Sequence, residues 1–264
     1  NFIGTGSVLE TTDGGTTWQK SLTPSDIPNS QFEMAAVSCI QGGTSCLAVA
    51  ADRISSANAM AWWWEGNSWN SLPSFPSDWS PNAAFCDGSA CYVVGADSMS
   101  GPEVLRSTDN GATWNSASLA SSDGSGIDAV TCTAVSCWAV GGGNSNASIV
   151  WNSTDHGNSW VPNSSVSTIS GFDESSAVLS GVSCISSSHC VLSGLATSKG
   201  SQNVQTVVLE TVNGGSSFAV VKLPTYGSGG LGAGSVSCWS QGCITTSGSD
   251  ESSKPVGELL IGHV

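Results

Sequence analysis

The residues with the clearest capacity for chemistry are ten cysteines, which fall into five close couples. These are Cys39 with Cys46, Cys86 with Cys91, Cys132 with Cys137, Cys184 with Cys190, and Cys238 with Cys243, with four to six residues between partners. Thiols so placed can hold a metal or form disulfides. Zinc sites favour two to four residues between paired cysteines and need a second couple brought close. Four to six residues suit a hairpin loop instead. Cross-strand Cβ atoms lie about 4.5–5.5 Å apart and a disulfide needs about 3.5–4.5 Å, so a narrow strand pair bridges with little distortion. Each short loop then contributes about 2 kcal/mol, and five of them matter against a total stability of about 5–15 kcal/mol.

Other chemistries find little support. His156, His189 and His263 are isolated in the sequence, so neither a metal triad nor a His-based catalytic triad can be assembled. Lysine and arginine total six against twenty acidic residues, for a net charge of −14. Such a chain lays down no cationic track for phosphates, which excludes nucleic-acid binding, and anionic membrane surfaces repel it. No stretch approaches the roughly 18 apolar residues of a membrane span. The chain shows no signal peptide and begins inside a repeat, and is read as a processed or trimmed form. With 39% hydrophobic residues and eleven tryptophans, it is expected to fold around a core and not to be disordered.

The cysteine couples sit in a repeat. Their first members are 47, 46, 52 and 54 residues apart, and each couple is framed alike, as in Ala36-Val-Ser-Cys39…Cys46-Leu-Ala-Val and Val130-Thr-Cys132…Cys137-Trp-Ala-Val. A second element alternates with the first: Thr11-Thr-Asp13-Gly-Gly15-Thr-Thr17-Trp18, Ser107-Thr-Asp109-Asn-Gly111-Ala-Thr113-Trp114 and Ser153-Thr-Asp155-His-Gly157-Asn-Ser159-Trp160. A weaker copy runs from Thr211 through Asn213 to Phe218, and the copy at Trp63–Trp69 has lost its Ser and Asp. A period near fifty with several short strands signals a propeller or solenoid. Each period supplies four strands: A ends at the first cysteine, B begins at the second, C precedes the Asp-Gly turn and D carries the aromatic residue. The expected fold is all-β, a single β-propeller domain over residues 1–264 with antiparallel four-stranded blades. Because each couple recurs once per blade, the blades hold the couples apart. That favours five intra-blade disulfides over metal sites and implies an oxidising compartment.

The alternating turn has its own mechanics. Asp accepts hydrogen bonds from turn amides, Gly supplies a positive φ, and the aromatic ring buries itself against neighbouring strands. The motif resembles the Asp-box, or BNR repeat, of sialidase-like propellers, and by repetition the resemblance covers nearly the whole chain. In that family the box joins the third and fourth strands of a blade and is usually structural. The resemblance therefore implies that Asp13, Trp18, Asp109, Trp114, Asp155, Trp160, Asn213 and Phe218 hold turns and do not catalyse.

Sialidases of this kind clamp a carboxylate with an arginine cluster, and the only arginines here are Arg53 and Arg106. Sialidase activity is rejected on that ground. Xyloglucanase-like relatives of the Asp-box family need two carboxylates across a cleft. Blade geometry puts A–B and C–D turns on one face and the longer B–C and D–A loops on the other. On that second face we expect Asp52, Arg53, Asp78, Trp79, Asp97, Asp123, Asp128, Asp173, Glu174, Tyr226, Asp250 and Glu251, where a protein or glycan ligand would meet the chain. The same carboxylates are also the ordinary dressing of a solvated acidic rim. Trp79 either stacks on a sugar or caps the core. No cofactor is implied. Acidic loops could hold calcium, but no calcium-loop motif is present. Asn146, Asn152 and Asn163 open glycosylation sequons and would mark exposed loops.

Complete blades are expected over about 32–75, 82–120, 127–166 and 178–224. Asn1–Gly6 reads as the end of a B strand and Glu258–Gly262 as a final C strand, which favours six blade positions, with five or seven as alternatives. A partner chain could supply a missing strand by β-augmentation. The sequence thus points first to a non-enzymatic extracellular binding or scaffold propeller, a component of a cell-surface assembly. A glycoside hydrolase with two acidic loop residues in a central cleft is the alternative.

Overall fold

A computed structural model describes residues 7–22, 32–52, 59–97, 100–120, 124–142, 148–168, 172–200, 204–223, 230–251 and 254–262. The chain divides into two compact units, Asn1–Ser116 and Ala117–Val264.

The first unit holds a two-stranded sheet and two full blades. The small sheet pairs Val8–Glu10 with Gln19–Leu22. One blade has strands A to D at Phe32–Cys39, Ser45–Asp52, Ala59–Glu65 and Trp69–Ser71. The other has them at Trp79–Cys86, Cys91–Asp97, Gly101–Ser107 and Asn115–Ser116. Neighbouring strands in both are antiparallel and follow chain order.

The second unit repeats the plan. One blade has Gly126–Thr133, Ser136–Gly142, Ser148–Ser153 and Ser159–Pro162. The next has Phe172–Cys184, Cys190–Ser198, Val204–Thr211 and Ala219–Val220. A three-stranded sheet of Gly230–Trp239, Gly242–Glu251 and Lys254–Gly262 follows. The architecture is a β-propeller of four-stranded antiparallel blades.

Three boundaries differ from the sequence expectation. Ser118–Leu119 was assigned to the 82–120 blade, but it pairs in parallel with Ser159–Trp160 and adds a fifth strand to the next blade. The A strands begin earlier, at Trp79 and Phe172. The expected B strand at Asn1–Gly6 lies outside the described residues.

The B strands read as unbroken apolar runs because both of their faces are covered, as in any strand packed between layers. Leu47 to Ala50 and Tyr92 to Val94 are all fully buried. Four residues after the second cysteine, Gly95, Gly141 and Gly194 each let the A strand come close. An added Cβ would lie 1.9, 2.1 and 2.2 Å from the carbonyls of Ser80, Gly126 and Val178. Each glycine sits beside a register shift of the A strand, which is how a β-bulge re-aims a strand.

All five cysteine couples are disulfides in strict A–B register, with Cα atoms 3.9 to 4.1 Å apart. Ser38 Oγ accepts the Cys86 amide and Ser183 Oγ accepts the Cys238 amide, both at 2.9 Å. The serine of the Val-Ser-Cys motif therefore ties its own A strand to that of the next blade. Five disulfides on one chain fit an oxidising compartment.

Candidate functional site

Each blade has two ends with different chemistry. At one end lie the cysteine hairpins and the C–D turns. Ser153 Oγ, buried opposite Cys137, donates to Asp155 Oδ1 at 2.7 Å and accepts the Gly157 amide at 2.8 Å. Asp155 also accepts the Ser159 amide at 3.0 Å and the Ser159 hydroxyl at 2.6 Å. The same bonds recur around Asp13 and Asp109. They recur again around Asn213, whose Oδ1 accepts the Ser217 amide while its Nδ2 donates to Ser217 Oγ at 2.8 Å.

The donors stabilise the ionised carboxyl. The Thr17 hydroxyl, then the Thr17 amide, hold Asp13 at about 2, and the Ser159 hydroxyl and amide do the same for Asp155. Asp109 is lowered by the Thr113 hydroxyl first. A carboxylate so saturated is a poor proton carrier at neutral pH.

The aromatic residue that ends each turn packs as its position allows. Trp160 is fully buried and donates to Gly157 O at 3.1 Å. Trp114 stacks at 5.2 Å on Phe75, and Phe218 meets the edge of Trp138 at 6.1 Å. Trp18 keeps the bond to Gly15 O but is 61% exposed.

The other end carries the sequence-derived candidates, and most of those among the described residues lie in strands. Asp97 closes a B strand and accepts the Ser100 amide at 2.7 Å, so it caps the B–C turn. Asp128 lies within an A strand, half-buried, and burial raises its carboxyl. Asp52, Asp173, Glu174, Asp250 and Glu251 belong to strands A or B. Among the described candidates, Asp78 sits in a turn, at φ 65°, one residue before Trp79. Arg53, Asp123 and Tyr226 lie outside the described residues.

Of the two readings of Trp79, sugar platform and core cap, its burial fits the second. Trp79 opens an A strand, is 1% exposed and packs on Phe75 at 4.9 Å. Of the sequon asparagines, Asn152 and Asn163 are not exposed loop tips. Asn152 lies in a C strand, and its Oδ1 accepts Asn163 Nδ2 at 2.7 Å. The same Nδ2 donates to Gly215 O at 3.2 Å. The amide nitrogen a glycan would need thus ties one blade to the turn of the next; Asn146 lies outside the described residues.

Sequence reasoning missed one hydrogen-bonded pair, His189 Nε2 with Glu210 Oε1 at 2.8 Å. The two are 21 residues apart, and no local motif joins them. Among the described residues, no three of His, Cys, Asp and Glu converge as metal ligands. Among the described residues, no helix is long and apolar enough to cross a membrane.

No protein-family model matches the sequence, and no curated protein does. Solved structures match the fold. The GH74 xyloglucanase of Xanthomonas campestris superposes with a TM-score of 0.66 at 16% identity, covering 97% of this chain and 41% of the enzyme. Trypanosoma rangeli sialidase gives 0.61 at 16% identity, covering 97% and 48%. YCF48 bound to D1 peptide gives 0.50 at 14% identity, covering 99% and 88%. The chain spans less than half the length of the xyloglucanase and the sialidase. These likenesses establish a sialidase-like propeller fold.

Proposed function

We propose that this chain is a non-enzymatic extracellular binding or scaffold propeller whose ligand meets the acidic, variable end of the blades. The turns at the opposite end are read as Asp-boxes with a structural role. The observation that carries the proposal is the state of the repeated carboxylates. The constellation that recurs from blade to blade is committed to turn amides and hydroxyls, which leaves it holding structure. Two arginines in the whole chain are too few for a carboxylate clamp of the sialidase kind. YCF48, of whose chain the likeness covers 88%, was solved with a peptide, which fits a protein-binding role.

One observation favours the hydrolase alternative. Asp128 is half-buried with its carboxyl raised, as a general acid requires. The test is turnover. The full chain is incubated with xyloglucan and with a fluorogenic sialoside while binding is screened on peptide and glycan arrays. Binding without product release is the expected result. Release of reducing ends that Asp128→Asn abolishes would establish the hydrolase instead.

A further inference from the structure

The C–D turn of the Phe32–Ser71 blade departs from its repeat. In three other blades the residue facing the second cysteine is a buried hydroxyl that starts the turn lock: Ser107 opposite Cys91, Ser153 opposite Cys137 and Thr211 opposite Cys190. Here Cys46 faces Trp64. The turn is also shorter, with five positions from Trp64 to Trp69 against seven from Ser107 to Trp114. It closes through the Glu65 amide, which donates to Ser68 O at 3.3 Å.

Trp64 and Trp69 are cross-strand partners with ring centroids 5.4 Å apart and planes 46° apart. Trp69 is clamped by its indole N–H, which donates to Ser21 Oγ of the adjoining small sheet at 3.0 Å. Both rings are only half-buried. Trp62, two residues before Trp64 on the same strand, is 1% exposed and belongs to the core with Phe32 and Ala50. Trp64 does not join that core cluster, and its ring meets Trp69 at the turn. With Glu10, Gln19, Lys20 and Asn67, the two indoles line an open groove of about 400 Å³.

We propose that this groove binds a neutral saccharide chain. Indole faces accept the apolar C–H face of a pyranose, and the hydroxyl edge needs donors and acceptors side by side. The amides of Gln19 and Asn67 offer both. Glu10 and Lys20 oppose each other in charge, so the groove favours no strongly charged ligand. Its open form admits the interior of a chain. The groove belongs to the hairpin-and-turn end, so this is a second site, beyond the ligand face proposed above.

The experiment is isothermal titration of the full chain with cellohexaose, xylohexaose and mannohexaose, with an oligogalacturonate as the charged control. At least one neutral hexasaccharide is expected to bind, more tightly than the oligogalacturonate. Trp64→Ser restores the residue type of the other blades; it should weaken binding about tenfold, as loss of one aromatic stacking contact does, without lowering the melting temperature. Asn67 is exposed, and Asn67→Ala serves as a second variant that should weaken binding several-fold even if Trp64→Ser misfolds. The proposal is overturned if no neutral hexasaccharide binds, if the charged control binds better, or if neither variant weakens binding.

Discussion

Two C–D turns of this chain solve the same problem with different chemistry. At Ser153–Trp160 a buried hydroxyl, a carboxylate and an indole N–H close the turn by hydrogen bonds, and Trp160 disappears into the core. At Trp64–Trp69 the lock residues are gone, and two indoles hold the corner by packing and by one bond to Ser21. Where the repeat keeps its hydroxyl–carboxylate pair, hydrogen bonds close the turn, and its aromatic residue is buried at Trp160 and exposed at Trp18. Where the pair is replaced, two half-buried indoles face each other across the strands and line a groove. A repeat protein gains a site by relaxing a lock in one copy while its neighbours keep the scaffold closed.

The sharpest way to break this comparison is to remove the sealed ring. Trp160→Ala should cost about 3–5 kcal/mol, the usual loss for a buried tryptophan, read as a large drop in denaturant midpoint at unchanged slope. Trp64→Ser should leave that midpoint where it was. Equal losses would show that both turns are structural in the same sense.

A smaller effect is expected from the carboxylates. Asp155→Ala should lower the melting temperature by less than Trp160→Ala, and Asp155→Asn by less still, since Asn213 holds its own turn with an amide. The effect has a pH signature. Asp13 and Asp155 titrate near 2, below the ordinary 3.8, so their stabilisation is full above about pH 4 and is lost as pH falls toward 2. Melting temperatures between about pH 2 and 5 should therefore fall less steeply in Asp155→Asn than in the parent. Parallel acid limbs would contradict the assignment.

How much of this was legible in the sequence differs between the two ends. The hairpin end was readable because its signals are local: a cysteine couple four to six residues apart fixes its own register, and the Asp turn closes within seven positions. The bulges carried a signal that went unread, a glycine four residues after the second cysteine in three blades. At the other end the interactions are not local. Asp78, Trp79 and Ser80 look like loop because Pro76 and Pro81 flank them, and Asp78 does take a turn conformation with positive φ. Burial of Trp79 against Phe75 nevertheless starts the strand there. The Asn163 sequon is three residues of local sequence, whereas its partner carbonyl on Gly215 is 52 residues away.

The smallest expected effect concerns the pair that sequence did not reveal. His189 and Glu210 are partly exposed, and such a pair is worth about 0–1 kcal/mol. His189→Ala should shift stability within that range and leave the Cys184–Cys190 disulfide intact in non-reduced peptide maps. A larger loss would mean that the pair anchors the hairpin.

The central claim is that the repeated hydroxyl–carboxylate turns at one end of the blades hold the fold and that the ligand of the proposed function meets the other end. It is tested most directly by measuring melting temperature and ligand affinity together for Asp109→Ala and for the double variant Asp97→Asn, Asp128→Asn, with the ligand found by array. Asp109→Ala should melt lower and bind as the parent does, and the double variant should bind more weakly at little change in melting temperature. Loss of binding in Asp109→Ala at unchanged melting temperature would contradict the account.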